Sequence, residues 1–385
     1  MNSRLPSTLI DLAAGREPRT AAFDAEHLSL ATDHRMAGLL WTWGRERLSD
    51  RELKTWLLMH DLGVGANQAD VWRVLESVAA RLDEVGIQFA TIKGVTAEAR
   101  WYERRGERPC SDVDLLLAPH QLDRAAQAVA ALQPEHPWIP HLNGLVASRR
   151  VQAVTLRVDD MDVDLHFDLL KLGIPTRGAV EMWSRTFAYD LPGGGAVRVL
   201  DDTTALLHLL VHLNKDRFQR LLGYADIQRI VARGNVDWDL LQREARHEGI
   251  EVAALRTLET VFDELSITLP VELPRARGLR SLVWDFLWRP GIRLRGSEGR
   301  LRFRMRQNWI AILARGRARE AIWWWLREFW PPAEAVDLRY MGIRGPYVWK
   351  LFRGRFEAGL AHHRRVAMLR RQRAAAQTRQ GESSA

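Results

Sequence analysis

The chain has 385 residues, 46% of them hydrophobic and 27% charged, with a formal net charge of +8. That length and balance suit two or three folded domains and exclude wholesale disorder. No run approaches the roughly 18 apolar residues of a membrane-spanning helix. The opening residues lack the apolar stretch of a secretory signal, and one cysteine, Cys110, makes neither an internal disulfide nor a thiolate zinc cage. The expected location is the cytoplasm, with the inner membrane face as a peripheral site.

The charge is unevenly divided. Residues 271–385 hold 25 Lys and Arg against 9 Asp and Glu, whereas residues 1–270 hold 31 against 39. Eight of the sixteen tryptophans fall in the basic stretch. An acidic body joined to a basic, Trp-rich region suggests two separate tasks.

In chain order, residues 1–80 read as a helical region, with apolar residues at helical spacing over Ala31–Trp43, Glu52–Met59 and Asn67–Leu82. Residues 81–200 change character. Ile87–Ile92 reads as a strand, Lys93-Gly94 as a turn and Val95–Tyr102 as a helix. Ser111–Leu117 is a second strand and Gln121–Leu132 a second helix. Val151–Val158 and Asp162–Leu169 form a hairpin around Asp159-Asp160. Residues 201–270 return to helices behind the capping sequence Asp202-Thr203-Thr204. Residues 271–385 read as basic helices broken by Pro290 and Pro331-Pro332, with a frayed tail. The fold class is α+β: a small mixed sheet with flanking helices between N- and C-terminal helical regions.

The chemistry lies in the alternation of the strands. Side chains on a strand point alternately to its two faces. Asp112 and Asp114 therefore share one face, about 7 Å apart along the backbone, while Val113, Leu115 and Leu117 face a core. Like charges so placed raise each other's pKa unless a cation intervenes, and oxygen ligands favour Mg2+ or Mn2+. The second hairpin strand repeats the pattern, with Asp162, Asp164, His166 and Asp168 on one face. Taken alone these four fit a solvated sheet face. Beside Asp112 and Asp114, a third acid would complete a metal clamp for in-line phosphoryl displacement. Upstream, Lys93-Gly94 ends a strand and opens a helix, which suits a phosphate. Lys93 supplies a point charge, and Arg108, of the nearby Arg104, Arg105 and Arg108, is best placed to reach phosphate oxygens.

The segments IKGVTAEARWYERRGERPCSDVDLLL and DVDLHFDLL resemble a bacterial nucleotidyltransferase family related to the DNA polymerase β superfamily. LLHLLVHLNKDRFQRLLGYADIQRIV extends the resemblance, which runs over roughly residues 30–245. It implies a polymerase β-like core, with Asp112 and Asp114 binding the metals and Asp164 completing the triad. It also implies that Lys93 and Gly94 hold a nucleoside triphosphate, and it aligns His212, Lys215 and Asp226 with the family pattern. Two features depart from the wider superfamily. Gly94-Val95 stands where Gly-Ser is usual, and the gap from Gly94 to Asp112 is longer than in compact members.

Other candidates carry competing readings. His166 would act as general base or would orient a neighbouring carboxylate. His208 and His212 have the i, i+4 spacing of zinc ligands, but their apolar context favours a buried His208 bonded to backbone, with His212 and Lys215 beside the nucleotide cleft. Asp226 has a structural hydrogen bond as its alternative role, and Cys110 reads as a small apolar filler. Arg302–Trp330 interleaves arginine with tryptophan, which fits a solvated packing module, an anionic membrane surface or nucleic acid. The expected function is metal-dependent transfer of a nucleoside monophosphate to an acceptor. The alternatives are a non-catalytic, antitoxin-like nucleotide-binding regulator and a membrane-surface scaffold.

Overall fold

The structure is a computed structural model, and it describes residues 6–18, 24–48, 50–133, 153–167, 169, 183–191, 193–216, 218, 220–272, 281–282, 346, 348–349 and 352–353. Met1–Trp324 form one compact unit and Trp325–Ala385 a second. In the second unit, Val348, Trp349 and Phe352 are exposed on short helical turns. Most of the basic region, including Arg302–Trp330, lies outside the described residues, as does Asp168.

The N-terminal helices are α1 (Ser7–Ala13), α2 (Ala25–Asp33), α3 (Ala37–Gly44) and α4 (Arg51–Glu84). Two expectations change here. Ala31–Trp43 is not one helix: α2 stops at Asp33, where Arg35 takes φ 57°. The Met36 N–H reaches back to the Ala31 carbonyl and the Arg35 N–H to the Thr32 carbonyl, the bonding of a Schellman stop, with arginine where glycine is usual. Conversely, the two segments Glu52–Met59 and Asn67–Leu82 are parts of a single 34-residue helix, capped by the Asp50 side chain at the Glu52 and Leu53 N–H groups. Gly63 and Gly65 do not break it. Its second half has the apolar stripe Val71, Trp72, Leu75, Val78 and Leu82, all buried.

The next elements are β1 (Phe89–Thr91), α5 (Gly94–Trp101), β2 (Asp112–Leu117), α6 (Leu122–Ala130), β3 (Ala153–Val158), β4 (Met161–His166), β5 (Thr186–Asp190) and β6 (Ala196–Leu200). They form a six-stranded mixed sheet in the order β3-β4-β2-β1-β6-β5. β2 runs antiparallel to β1 and parallel to β4, and β6 runs parallel to β1. The β3–β4 hairpin turns at Asp159 and Asp160, both at positive φ. β5 and β6 were not among the expected strands, although Tyr189, Val197 and Val199 around Gly193–Gly195 have a hairpin's pattern.

Helices cover both faces of the sheet. Val113, Leu115 and Leu117 of β2, each no more than 2% exposed, lie on the face packed by α4 and α6; burial stabilises each by about 1.5–3 kcal/mol. On the other face Ala90, Ile92 and Leu116 join a core made with the C-terminal helices α7 (Asp202–Lys215), α8 (Leu221–Ala232), α9 (Trp238–His247) and α10 (Glu251–Glu264). The Asp201 side chain, rather than Asp202, caps α7, accepting from the Thr204 N–H. Asp112 and Asp114 of β2 line a cleft against this helical layer.

Candidate functional site

The parallel register of β2 and β4 pairs Asp112 with Asp162, Asp114 with Asp164 and Leu116 with His166. Paired residues in a parallel ladder share a face, so two strands far apart in sequence bring their acids together. Donor atoms of Asp114, Asp164 and His166 all lie within 4.8 Å of one another, the arrangement of a metal-binding group. Asp114 is 5% exposed and His166 fully buried. His166 Nε2 is 2.6 Å from Asp114 Oδ1 and 4.0 Å from Asp164 Oδ2. The histidine thus engages the acid on the neighbouring strand more closely than the one on its own. Thr155, opposite on β3, donates its hydroxyl to Asp164 Oδ1.

Asp112 is on the same face and half-buried at the mouth, but its carboxylate is not part of that group. Burial pushes its carboxyl above the usual range, and Asp114 and Asp164 push it further, while Lys93 and Arg35 pull it down. Asp114, Asp164 and His166 form a donor set that fits a divalent cation, two hard oxygens and an imidazole nitrogen, with the Asp112 carboxyl beside it. Asp162 is exposed.

Lys93 caps α5 and Gly94 is its first residue, at the junction with β1 where the sequence places a turn. Both have positive φ, 56° and 49°, and a side chain held there costs about 1–3 kcal/mol. The turn is held by the Thr96 hydroxyl donating to the Lys93 carbonyl, and it brings Lys93 Nζ to 3.0 Å from Asp114 Oδ1.

The residues between α5 and β2 explain the long Gly94–Asp112 gap. Gln68 and Asn67 of α4 donate to the Arg108 and Cys110 carbonyls. Glu98 accepts from the Gly106 N–H, and Arg104 grips Asp61 of α4 with two nitrogens. The loop so fastened presents Arg108 to Asp226 of α8: Nε to Oδ1 and Nη2 to Oδ2, both 2.9 Å. The Tyr102 hydroxyl donates to the same carboxylate at 2.6 Å, and Arg108 Nη1 to the Gly94 carbonyl at 3.2 Å. Arg108 therefore lines the cleft with most of its donors committed to protein. Asp226 holds the structural hydrogen bonds that were its alternative reading.

These residues surround a cleft of about 260 Å³, lined by Lys93, Gly94, Arg108, Asp112, Asp114 and, from the helical layer, His212. His212 Nδ1 lies 3.3 Å from Asp216 Oδ2. His208, one turn earlier, is buried and donates its ring N–H to the Leu169 carbonyl. Lys215 ends α7, and its side chain lies outside the described residues. Cys110 also lines the cleft, with burial pushing its thiol up to about 12. Two cleft residues, Arg35 and Arg220, were missed in the sequence. Arg35 was read inside a helix, because the apolar spacing runs on through Ala31–Trp43 and an arginine stands at the stop where glycine is the usual signal.

A mixed sheet whose central parallel pair carries paired acids, behind a lysine-glycine turn and under a helical layer, is the core of a nucleotidyltransferase-like α+β protein. The chain matches the uncharacterised nucleotidyltransferase family over residues 23–263 and belongs to it. Among solved structures it is similar to an antigenic nucleotidyltransferase-like protein from Paracoccidioides brasiliensis, at 16% identity and a TM-score of 0.33, over 52% of this chain and 94% of that one. No curated protein matches. No helix among the described residues is long and apolar enough to cross a membrane.

Proposed function

We propose that the protein transfers a nucleoside monophosphate from a nucleoside triphosphate to an acceptor hydroxyl or phosphate and releases pyrophosphate. The observation that carries this reading is the in-register Asp114–Asp164 pair with Lys93 Nζ on Asp114 at the cleft mouth. Asp114, Asp164 and His166 would hold a divalent ion, Mg2+ or Mn2+, with Asp112 beside it. When bound, that ion would neutralise charge on the transferring phosphoryl group. Lys93 and the Gly94 turn hold the donor's phosphates. Asp164 accepts the acceptor's proton as its oxygen bonds to the α-phosphorus and the bond to the bridging oxygen breaks. Thr155 donates to Asp164 and fixes that carboxylate, so that little reorganisation accompanies the reaction.

The test is label transfer from each α-phosphate-labelled triphosphate in host cell extract, with Mg2+ or Mn2+. Labelled product and pyrophosphate from the native protein, both absent with the Asp112→Ala, Asp114→Ala double variant, support the reading. Turnover that survives in that variant sinks it.

A further inference from the structure

Four permanent cations line the cleft: Arg35, Lys93, Arg108 and Arg220. Two are matched within the protein, Lys93 by Asp114 and Arg108 by Asp226. The guanidinium groups of Arg35 and Arg220 form no ion pair or hydrogen bond with any described residue. They also oppose one another. Burial and then the charge of Arg220 weaken Arg35's hold on its proton, offset in part by Asp112 and Asp216. Arg35 moreover occupies the left-handed stop of α2, where glycine would be cheaper. Arg35 is half-buried and Arg220 exposed; with neither guanidinium paired to a described residue, the half-buried charge of Arg35 close to a second cation is a cost to the fold.

We infer that Arg35 and Arg220 form a phosphate-binding subsite on the helical side of the cleft. One guanidinium fork satisfies a single carboxylate; two that repel call for an anion with several charges and many acceptor oxygens. The chemistry required is that of a polyphosphate or phosphate ester. Two sources supply it: the terminal phosphates of the donor nucleotide, or a phosphorylated acceptor. The assignment of the donor rests on the proposed function, whereas the subsite itself rests on the arginines.

Calorimetric titration of the full chain with Mn2+ tests this, using tripolyphosphate, each nucleoside triphosphate and the matching monophosphate. The variants are Arg35→Gln, Arg220→Gln and Asp114→Asn. The native protein binds tripolyphosphate, and each arginine variant loses about tenfold or more, the worth of one charge-assisted bond. Binding of Mn2+ alone stays unchanged, and the thermal midpoint holds or rises because a repulsion is removed. Triphosphates weakening in parallel, with monophosphates unaffected, assign the subsite to the donor's terminal phosphates. Tripolyphosphate weakening alone assigns it to a phosphorylated acceptor. Arginine variants that bind tripolyphosphate like the native protein, or a native protein that binds none, overturn the subsite. Triphosphate binding lost only in Asp114→Asn would leave the nucleotide reading standing without it. Tripolyphosphate binding with no nucleotide binding would leave the subsite and remove the nucleotide reading.

Discussion

The Arg108–Asp226 pair joins the loop before β2 to the helical layer, and its energetics can be worked from the structure. Asp226 is 2% exposed and receives two nitrogens of Arg108 at 2.9 Å and the Tyr102 hydroxyl at 2.6 Å. Burial opposes Arg108's charge, but the attraction and hydrogen bonds of Asp226 more than offset it, so its proton is held more tightly than usual. Arg108→Met leaves a buried carboxylate with Tyr102 alone, and Asp226→Leu leaves a buried guanidinium with the Gly94 carbonyl. Each should cost about 3–5 kcal/mol, the range for breaking a buried pair from one side. The double variant removes both charges and strands only the Tyr102 hydroxyl, about 1–3 kcal/mol. A double-mutant cycle in urea should therefore give a coupling of several kcal/mol, with m-values unchanged. Because Arg108 also holds the Gly94 carbonyl, the single variants should weaken nucleotide binding as well. Additive losses, with the double variant as unstable as the two singles summed, would refute this reasoning.

Three further outcomes follow from particular contacts. The Asp112 carboxyl is raised by burial, then by Asp114 and Asp164, so the native state binds that proton more tightly than the unfolded chain. Stability should fall as pH rises from the ordinary carboxylate range through the raised value. Asp112→Asn should accordingly raise the metal-free thermal midpoint at pH 7 and leave it nearly unchanged below about pH 4; equal midpoints at pH 7 would contradict the sign. A Cβ on Gly38 would run into the Gly106 carbonyl oxygen and lie 2.9 Å from Glu107 Cα, both backbone. Gly38→Ala should thus destabilise by at least the roughly 1–3 kcal/mol of overpacking, despite alanine's helix preference, and an unchanged denaturation midpoint would count against that close approach. His166 adds a nitrogen donor to two carboxylates, which suits Mn2+ better than Mg2+. His166→Gln should weaken Mn2+ binding, read by its paramagnetic resonance signal, more than Mg2+ competition; equal losses would argue against nitrogen ligation.

Local chemistry was legible in the sequence wherever one strand or turn decided it. Alternation alone placed Asp112 and Asp114 on one face and Val113, Leu115 and Leu117 in the core. The Lys93-Gly94 turn and the Asp159-Asp160 hairpin were equally local. What pairs Asp114 with Asp164 is the parallel register of β2 and β4, a non-local fact to which alternation is blind. The same limit concealed the partner of His166, which lies across the strands on Asp114. Arg108 looked available for phosphate because its partner, Asp226, is 118 residues away. Arg35 was hidden by arginine standing at a helix stop where glycine is the usual signal. The β5–β6 hairpin did carry a turn signal in Gly193–Gly195, but its half-exposed strands lack a long apolar run.

The central claim is that the Asp114–Asp164–His166 group and the Lys93-Gly94 turn together hold a nucleotide through a divalent ion. The most direct measurement titrates α,β-methylene analogues of the four nucleoside triphosphates into the native protein and Asp114→Asn, with Mn2+, Mg2+ or EDTA. At least one analogue should bind the native protein only when an ion is present. Asp114→Asn should lose at least the roughly 10- to 100-fold that removing even an outer partner of a metal costs. Binding that ignores the ion, equal binding by the variant, or no binding of any analogue would contradict the claim.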